Sequence, residues 1–387
     1  MCIICKGQYD ENTTCINCAG CYNLTKIPEL PQLTDFYCGG CTSLTKIPEL
    51  PQLTKLVCYN CVNLTKISEL LQLVELDCHS CTSLTEIPAL PKLTELDCYN
   101  CTNLTEIPML PNLTILYCAV CPNLTKIPKL SKLTELDCYD CPNLTEIPAL
   151  PNLTELYCYD CANLTKIPML PNLTELDCHN CANLTEIPAL PNLIKLDCAD
   201  CTSLTKITML PELTSLSCAN CTNLTKLPIF PKLTTLYCSD CTSLTAIPML
   251  QNLTELYCHN CASLTKIPEL PQLTGLYCNH CTSLTEIFSD LSVITGYCIA
   301  CTSLTKIAKF PKRANFCYDC PWIEPDNPSF NSNIEKLKRL QRFCRNNLKY
   351  WRFCRWIKSK EFAEWFYSPN QWGGRACKQM IENELLK

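Results

Sequence analysis

The sequence is poor in histidine, glycine and charged residues, which are common in enzyme active sites and mobile loops. Its 387 residues include only 8 glycines and 4 histidines, and 18% of the chain is charged. The histidines are scattered, so we do not expect a histidine-based metal centre or catalytic pair. Long apolar runs are also missing, because no window approaches the roughly 18 consecutive apolar residues of a membrane-spanning helix.

The first residues, MCIICKGQYDENTT, lack the basic and apolar regions of a secretory signal peptide. We therefore expect a protein without a membrane span that stays in the cytoplasm. Thiols are kept reduced in that compartment, so we expect most cysteines to be free.

Cysteine and proline, in contrast, are abundant, with 38 and 28 residues respectively. They belong to a pattern that repeats every 20 residues from Cys21 to about Cys320. Fifteen copies keep the leucine and threonine of an NLT or SLT triplet, from Leu24 to Leu304. One unit, starting at Leu93, reads LTELDCYNCTNLTEIPMLP. A fixed period of this length indicates a stack of similar structural units.

The apolar and cysteine positions identify the kind of unit. A 20-to-29-residue period with the skeleton L-x-x-L-x-L-x-x-N/C-x-L is the leucine-rich-repeat signature, and each unit adds one strand to a parallel sheet. We predict that seven side chains per unit point inward, represented by Leu93, Leu96, Cys98, Cys101, Leu104, Ile107 and Leu110. One unit buries too little to fold alone, so only the array is stable.

The return path of each unit is rich in proline. Proline occupies 11 of the 15 equivalents of Pro108 and 11 of the 15 equivalents of Pro111. Because proline fixes φ and cannot donate a hydrogen bond, we expect an extended or polyproline-like path without α-helix. The predicted fold is a leucine-rich-repeat solenoid with a parallel β-sheet on its concave face and a small α-helical C-terminal module.

Composition suggests four segments: an N-terminal cap (1–20), the solenoid (21–320), a linker (321–331) and a basic helical tail (332–387). The last 67 residues hold all five tryptophans, 13 basic and 7 acidic residues, a net charge of +6. We predict an amphipathic helix after Ser332 or Asn333 that breaks at Ser368. We interpret the tail as a cap on the solenoid; an arm that recruits a membrane, nucleic acid or the ubiquitin system is the alternative.

The cysteines have two interpretations. Sixteen C-x-x-C pairs occur in the repeats, from Cys18 to Cys320, and pairs on neighbouring units have a spacing that suits zinc. Cys98 and Cys101, however, occupy core positions of the repeat, so we predict that such cysteines pack as small apolar residues, without a cofactor. The alternative is a metal-thiolate or redox-responsive scaffold. A small N-terminal zinc site of Cys2, Cys5, Cys15 and Cys18 is a separate alternative.

Sequence variation is concentrated at the outward positions of the predicted strands. There, carboxylates alternate with tyrosine and histidine, which favours binding of a basic protein or peptide and disfavours nucleic acid. A solvated sheet face is the alternative. The carboxylates recur without a unique nucleophile, so we expect a non-enzymatic, monomeric protein. The candidate partner-binding residues are Glu95, Asp97, Tyr99, Glu135, Asp137, Tyr139, Glu155, Tyr157, Tyr159, Glu175, Asp177 and His179.

The LTxLxCxxCxNLTxIPxLP unit resembles the 20-residue leucine-rich repeats of giant DNA viruses of amoebae, the mimivirus-like group, over about residues 18–320. The tail segment NIEKLKRLQRFCRNNLKYWRFCRWIKSKEFAEWFYSPNQWGG is similar to a C-terminal segment of repeat proteins in that group. The resemblance implies a repeat protein that binds host or viral proteins in the host cytoplasm.

The repeats also resemble the short LPxLP repeats of effectors from bacterial pathogens, some of which are ubiquitin ligases. The ligase domain of those effectors is a large helical unit with a C-x-D nucleophile motif. This chain departs from the motif, because Cys344, Cys354 and Cys377 are followed by Arg-Asn, Arg-Trp and Lys-Gln. We therefore expect no ligase activity in this chain.

Overall fold

The computed structural model describes residues 2–290, 295–309, 317–318, 320, 360–368, 371, 373, 375–376, 378–379 and 382. The chain divides into two compact units, Met1–Ile323 and Glu324–Lys387. Each unit is described by itself. Within the described residues, no helix has the length and hydropathy needed to cross a membrane.

The first unit consists of short strands separated by turns. In chain order they are β1 (Cys15–Asn17), β2 (Asp35–Tyr37), β3 (Lys46–Ile47), β4 (Lys55–Val57), β5 (Lys66–Ile67), β6 (Glu75–Asp77), β7 (Glu95–Asp97), β8 (Ile115–Tyr117), β9 (Glu135–Asp137), β10 (Glu155–Tyr157), β11 (Glu175–Asp177), β12 (Glu186–Ile187), β13 (Lys195–Asp197), β14 (Lys206–Ile207), β15 (Ser215–Ser217), β16 (Thr235–Tyr237), β17 (Glu255–Tyr257), β18 (Lys266–Ile267), β19 (Gly275–Tyr277), β20 (Glu286–Asp290), β21 (Thr295–Ile299), β22 (Lys306–Lys309) and β23 (Cys317–Tyr318).

Sixteen of these strands form one parallel sheet in the order β1-β2-β4-β6-β7-β8-β9-β10-β11-β13-β15-β16-β17-β19-β21-β23. The register advances by one repeat per strand, so Leu76 pairs with Leu96 and Leu96 pairs with Leu116. The return side carries short parallel ladders of its own, β3-β5, β12-β14 and β18-β20-β22. The described residues of the repeats contain no helix. The prediction of a parallel-sheet solenoid is confirmed.

The core is a column of equivalent side chains. In the unit from Leu93 to Leu110, the seven predicted inward residues are each at most 5% exposed. The middle residue of each three-residue strand is buried, and its two neighbours face the other side of the sheet. Because side chains alternate along a strand, this fixes which residues form the outer face. The predicted core positions are confirmed.

The second cysteine of each pair has a definite hydrogen-bond partner. From Cys41 to Cys301, its Sγ donates to the backbone carbonyl 23 residues earlier, at 2.8–3.3 Å. We call this series the thiol ladder. Burial raises the pKa of Cys121 to about 12, so this thiol keeps its donor proton at neutral pH. The ladder satisfies buried carbonyls that would otherwise cost free energy.

Exposed polar side chains also connect one turn to the next. The Thr114 hydroxyl donates to the Thr94 carbonyl at 2.9 Å, and Thr94 donates to the Val74 carbonyl at 3.1 Å. On the return side, the Asn123 amide donates to the Thr102 carbonyl at 2.8 Å. Backbone groups at the edges of each turn are therefore bonded across the stack, which only the array can provide.

From β1 to β21, each strand of the sixteen-stranded sheet is followed within three residues by a residue in the left-handed region. Gly20 and Gly40 occupy this position with φ of 72° and 71°, and thirteen non-glycine residues, from Asn60 to Ala300, occupy it with φ of 50–61°. The conformation directs the backbone N–H to the next turn, as in Asn100 N to Ala119 O at 2.8 Å. Asparagine and aspartate tolerate this region, whereas a β-branched residue such as Val120 is strained there.

Val120→Asn should therefore stabilise the protein. Because the left-handed conformation costs a β-branched residue more than asparagine, we expect a gain of about 1 kcal/mol in the free energy of unfolding, measured by urea denaturation. Val62→Asn is the matched control, since Val62 is an exposed valine with an ordinary φ. Equal effects at both positions would contradict the strain at Val120.

In the second unit, the described residues include helix α1 (Lys360–Phe366). Its Phe362 and Phe366 rings lie 5.5 Å apart, and the Ser368 hydroxyl donates to the Trp365 carbonyl at 2.7 Å. The helix thus ends just before the predicted break at Ser368. The preceding part of the predicted tail helix, up to residue 359, lies outside the described residues, as does the linker 321–331.

Candidate interaction site on the concave sheet

Three rows of side chains cover the concave face of the sixteen-stranded sheet. Row 1 contains the first residue of each strand, such as Glu95; row 2 contains the third, such as Asp97; row 3 contains the residue two further on, such as Tyr99. All twelve predicted partner-binding residues lie in these rows and are half-buried or exposed. The fold brings Glu135, Glu155 and Glu175 onto adjacent paired strands.

Rows 1 and 2 are strongly acidic. Their carboxylates are Asp35, Glu75, Asp77, Glu95, Asp97, Glu135, Asp137, Glu155, Glu175, Asp177, Asp197 and Glu255, whereas their lysines are Lys55 and Lys195. Lys55 Nζ lies 2.6 Å from Glu75 Oε1, and Lys195 Nζ lies 3.2 Å from Glu175 Oε2. Parallel strands are about 4.8 Å apart, so like charges are stacked along the rows.

This stacking changes the acidity of the carboxyl groups. Partial burial, followed by the charges of Glu135, Asp97 and Asp177, raises the pKa of Asp137 to about 6, against a hydrogen bond from the Tyr139 N–H. Burial and neighbouring carboxylates also raise the pKa of Asp97 and Glu95. Ionisation of these groups is therefore unfavourable in the folded state, and a bound cation would relieve it.

Row 3 carries a stack of aromatic rings. Tyr139 and Tyr159 are stacked with centroids 4.4 Å apart, and Tyr159 stacks on His179 at 4.5 Å. A second stack lies in row 2, where Tyr237, Tyr257 and Tyr277 follow each other at 4.5 Å. The repeat spacing holds rings on neighbouring turns in contact, which gives the face two rigid flat platforms.

A groove lies between the two aromatic stacks. Its volume is about 470 Å³, and it is lined by Glu175, Leu176, Asp177, Lys195, Leu196, Asp197, Ser215, Ser217 and Tyr237. The groove opens where side chains become short, because Ala199 and Ala219 follow His179 in row 3 and Ser217 precedes Tyr237 in row 2. Acidic residues line one end of the groove and a tyrosine the other.

Two histidines form polar clusters with aspartates, which the sequence analysis did not anticipate. His79 Nδ1 lies 2.7 Å from Asp77 Oδ1 and 3.9 Å from Asp97 Oδ2. Asp177, His179 and Asp197 repeat the arrangement, with ligand-type atoms within 4.8 Å of one another. In the sequence, such a cluster could be recognised from the motif D-x-H followed by an aspartate 18 residues after the histidine. The clusters can orient an imidazole or hold a cation weakly, but they include no nucleophile.

The four cysteines of the alternative N-terminal zinc site, Cys2, Cys5, Cys15 and Cys18, do not form one cluster. Cys2 and Cys5 lie next to each other with Sγ atoms 3.7 Å apart, and Cys18 is buried beside them. Cys15 is instead exposed on β1. Cys21 takes its place, with its Sγ 3.6 Å from that of Cys5. The cysteines described from Cys2 to Cys281 are all free thiols.

The sheet, the repeat and its concave face define a leucine-rich-repeat solenoid, a fold whose curved stacks typically serve as protein-interaction scaffolds. Residues 171–212 match the family model for Leucine Rich repeats (2 copies). No sequence among curated proteins matches this chain. The family model covers the two turns that contain His179 and Asp197, beside the groove.

One solved structure supports the same fold, and two others show a lower similarity. A leucine-rich repeat protein from Bacteroides ovatus is similar with a TM-score of 0.55 and 19% identity, over 76% of this chain and 86% of that chain. YopM from Yersinia enterocolitica has a TM-score of 0.46 and 22% identity, over 76% and 75% of the two chains. The functional domain of InlJ from Listeria monocytogenes, which includes a cysteine ladder, has a TM-score of 0.44 and 23% identity, over 75% of this chain and 69% of that chain.

Removing the charge of Asp137 should stabilise the protein in a pH-dependent way. Because the pKa of Asp137 is raised in the folded state, its ionised form destabilises the fold above about pH 6. Allowing for solvent screening, Asp137→Asn should raise the free energy of unfolding at pH 7.5 by about 1 kcal/mol. The gain should shrink as the pH falls through 6 and vanish near pH 4, as urea denaturation across pH can show.

Glu106→Gln is the control for this experiment, because Glu106 is an exposed carboxylate outside the three rows. It should change the unfolding free energy little at either pH. A stability difference for Asp137→Asn that does not depend on pH would contradict the electrostatic account.

Proposed function

We propose that this protein is a non-enzymatic scaffold whose concave face binds a basic protein or an extended basic peptide. The proposal rests on the acidity of rows 1 and 2, which together contain twelve carboxylates and two lysines. A partner with lysine or arginine side chains would be steered to this face and would lower the repulsion among its carboxylates. Nucleic acid phosphates would be repelled.

The spacing of the carboxylates favours arginine in particular. Glu135, Glu155 and Glu175 are in register on adjacent strands about 4.8 Å apart. A guanidinium group has several donors in a planar fork, so one arginine can bind carboxylates on two turns at once. The raised pKa of Asp137, on the same strand as Glu135, means that a cation near Asp137 gains more than it would at an isolated surface acid.

The aromatic stack and the groove supply the rest of the binding surface. Tyr139, Tyr159 and His179 present stacked rings beside the carboxylates, and tyrosine is a frequent interface anchor. A basic side chain over these rings gains a cation–π interaction. The groove between His179 and Tyr237 can accept one apolar or aromatic side chain of the same partner.

A reducing compartment fits this function. The buried free thiols of the thiol ladder require that cysteines stay reduced, which the cytoplasm provides. The partner is thus a host or viral protein of the cytoplasm if the resemblance to giant-virus repeats reflects the origin of the chain. A tail that caps the solenoid or recruits host machinery would be additional to the concave site.

The test compares two triple variants in binding a fluorescent arginine-rich peptide, with an acidic peptide of equal length as the specificity control. The first variant carries Glu135→Gln, Glu155→Gln and Glu175→Gln in row 1. The second carries Glu86→Gln, Glu106→Gln and Glu146→Gln, three exposed carboxylates outside the rows. Both lose three negative charges, so a difference between them reports position rather than net charge.

We expect the row 1 variant to bind the arginine-rich peptide at least about tenfold more weakly, equivalent to ~1.4 kcal/mol, because it removes short-range ion pairs. The second variant should stay within about twofold of wild type, since distant exposed charges are screened by salt. Equal weakening in both variants, or none in either, would contradict binding at the concave face. Circular dichroism must show that both variants remain folded.

A further inference from the structure

Three thiols meet at the N-terminal end of the solenoid. Cys2 Sγ lies 3.7 Å from Cys5 Sγ, and Cys5 Sγ lies 3.6 Å from Cys21 Sγ. The three sulfur atoms all lie within 4.8 Å of one another. Cys18 is buried next to this group and influences the Cys2 thiol, although its Sγ is not one of the three atoms that lie within 4.8 Å of one another.

This cluster differs from the thiol ladder. Every equivalent of Cys21 from Cys41 to Cys301 donates its thiol to the carbonyl 23 residues earlier. Cys21 has a different environment, because its Sγ lies 3.6 Å from the Cys5 Sγ and accepts a hydrogen bond from the Cys2 N–H at 3.4 Å. The buried group of Cys278, Cys298 and Cys301, in contrast, includes a ladder bond from Cys301 to the Cys278 carbonyl at 2.8 Å.

The local backbone forms two turns that present their cysteines to each other. In the first, Lys6 N donates to Cys2 O at 3.1 Å and Gly7 N donates to Ile4 O at 3.0 Å. Gly7 has a φ of 64°, which glycine adopts at little cost. In the second turn, Cys21 N donates to Cys18 O at 3.1 Å.

The sequence of the two turns, Cys2-x2-Cys5-x12-Cys18-x2-Cys21, has the arrangement of two C-x-x-C pairs found in structural zinc sites. From these contacts, we propose that Cys2, Cys5, Cys18 and Cys21 bind one zinc ion as a tetrahedral four-thiolate site that closes the N-terminal end of the solenoid.

The sulfur–sulfur distances agree with this assignment. A tetrahedral ion with metal–sulfur bonds of about 2.3 Å places its ligands about 3.8 Å apart, close to the 3.6 and 3.7 Å separations of this cluster. The Cys2 N–H to Cys21 Sγ hydrogen bond is of the kind that supports a thiolate ligand. Cys15, the remaining N-terminal cysteine, is exposed on β1 and takes no part.

A zinc ion would stabilise the N-terminal end of the solenoid, independently of binding at the concave face. Strand β1 lies at one edge of the sixteen-stranded sheet, and Ile3, Ile4 and Tyr9 are among the partly buried side chains that pack against the core. A metal that ties residues 2–5 to residues 18–21 fixes this segment in place. The site lies at the opposite end of the chain from the tail and outside the three concave rows.

The experiment uses the full chain with a cleavable tag at the C-terminus, purified under reducing conditions and analysed for metal by mass spectrometry. Wild type and Cys15→Ser should each hold about one zinc per chain, and Cys5→Ser and Cys21→Ser should each lose at least about nine-tenths of it. Cobalt(II) titration of the wild type should give the intense visible bands of a tetrahedral thiolate site.

Two outcomes would overturn the proposal. One is a reduced wild-type chain that holds no zinc and gives no tetrahedral cobalt spectrum. The other is zinc that persists in Cys5→Ser and Cys21→Ser at the wild-type level, because the metal would then bind elsewhere. Since Cys5→Ser could unfold the first turn, circular dichroism of each variant accompanies the metal analysis, and the cobalt spectrum of wild type decides independently of folding.

Discussion

The register between turns is the constraint on which the rest of the structure depends. Each residue lies over its equivalent 20 residues away, as Leu96 does between Leu76 and Leu116. Side chains that cross from turn to turn keep this register: the thiol ladder in the core, and threonine hydroxyls and asparagine amides at the edges. A turn of this length has few backbone partners of its own, so its neighbours must satisfy its carbonyls.

The same register produces the chemistry of the concave face. A parallel stack without offset places like side chains next to like, which gives rigid tyrosine platforms and also columns of carboxylates. Burial and, to a smaller extent, the charges of nearby carboxylates raise the pKa of Asp137, so its ionised form reduces the stability of the free protein and a bound cation would relieve this cost. The acidic face and its proposed basic partner thus follow from one geometric rule.

Much of the fold and of the candidate site was predictable, because the repeat period and the position of each residue within the repeat determine them. The strand positions, the seven buried residues per unit and the placement of all twelve partner-binding candidates followed from the repeat. The acceptors of the thiol hydrogen bonds could not be predicted, because the pattern shows that Cys101 is buried but not which carbonyl accepts its hydrogen bond. The strain at Val120, the groove after His179 and the replacement of Cys15 by Cys21 depend on individual side chains and their local contacts, which the repeat pattern does not specify.

The thiol ladder can be tested most directly by Raman spectroscopy of the S–H stretching region of the folded, full-length protein. Because buried thiols donate to carbonyls from Cys41 to Cys301, the account predicts a strong S–H band shifted to lower frequency than in the unfolded chain. A weak or absent S–H band, with disulfide or metal–thiolate signals in its place, would contradict it. So would an unshifted band, since the thiols would then be buried without their carbonyl partners.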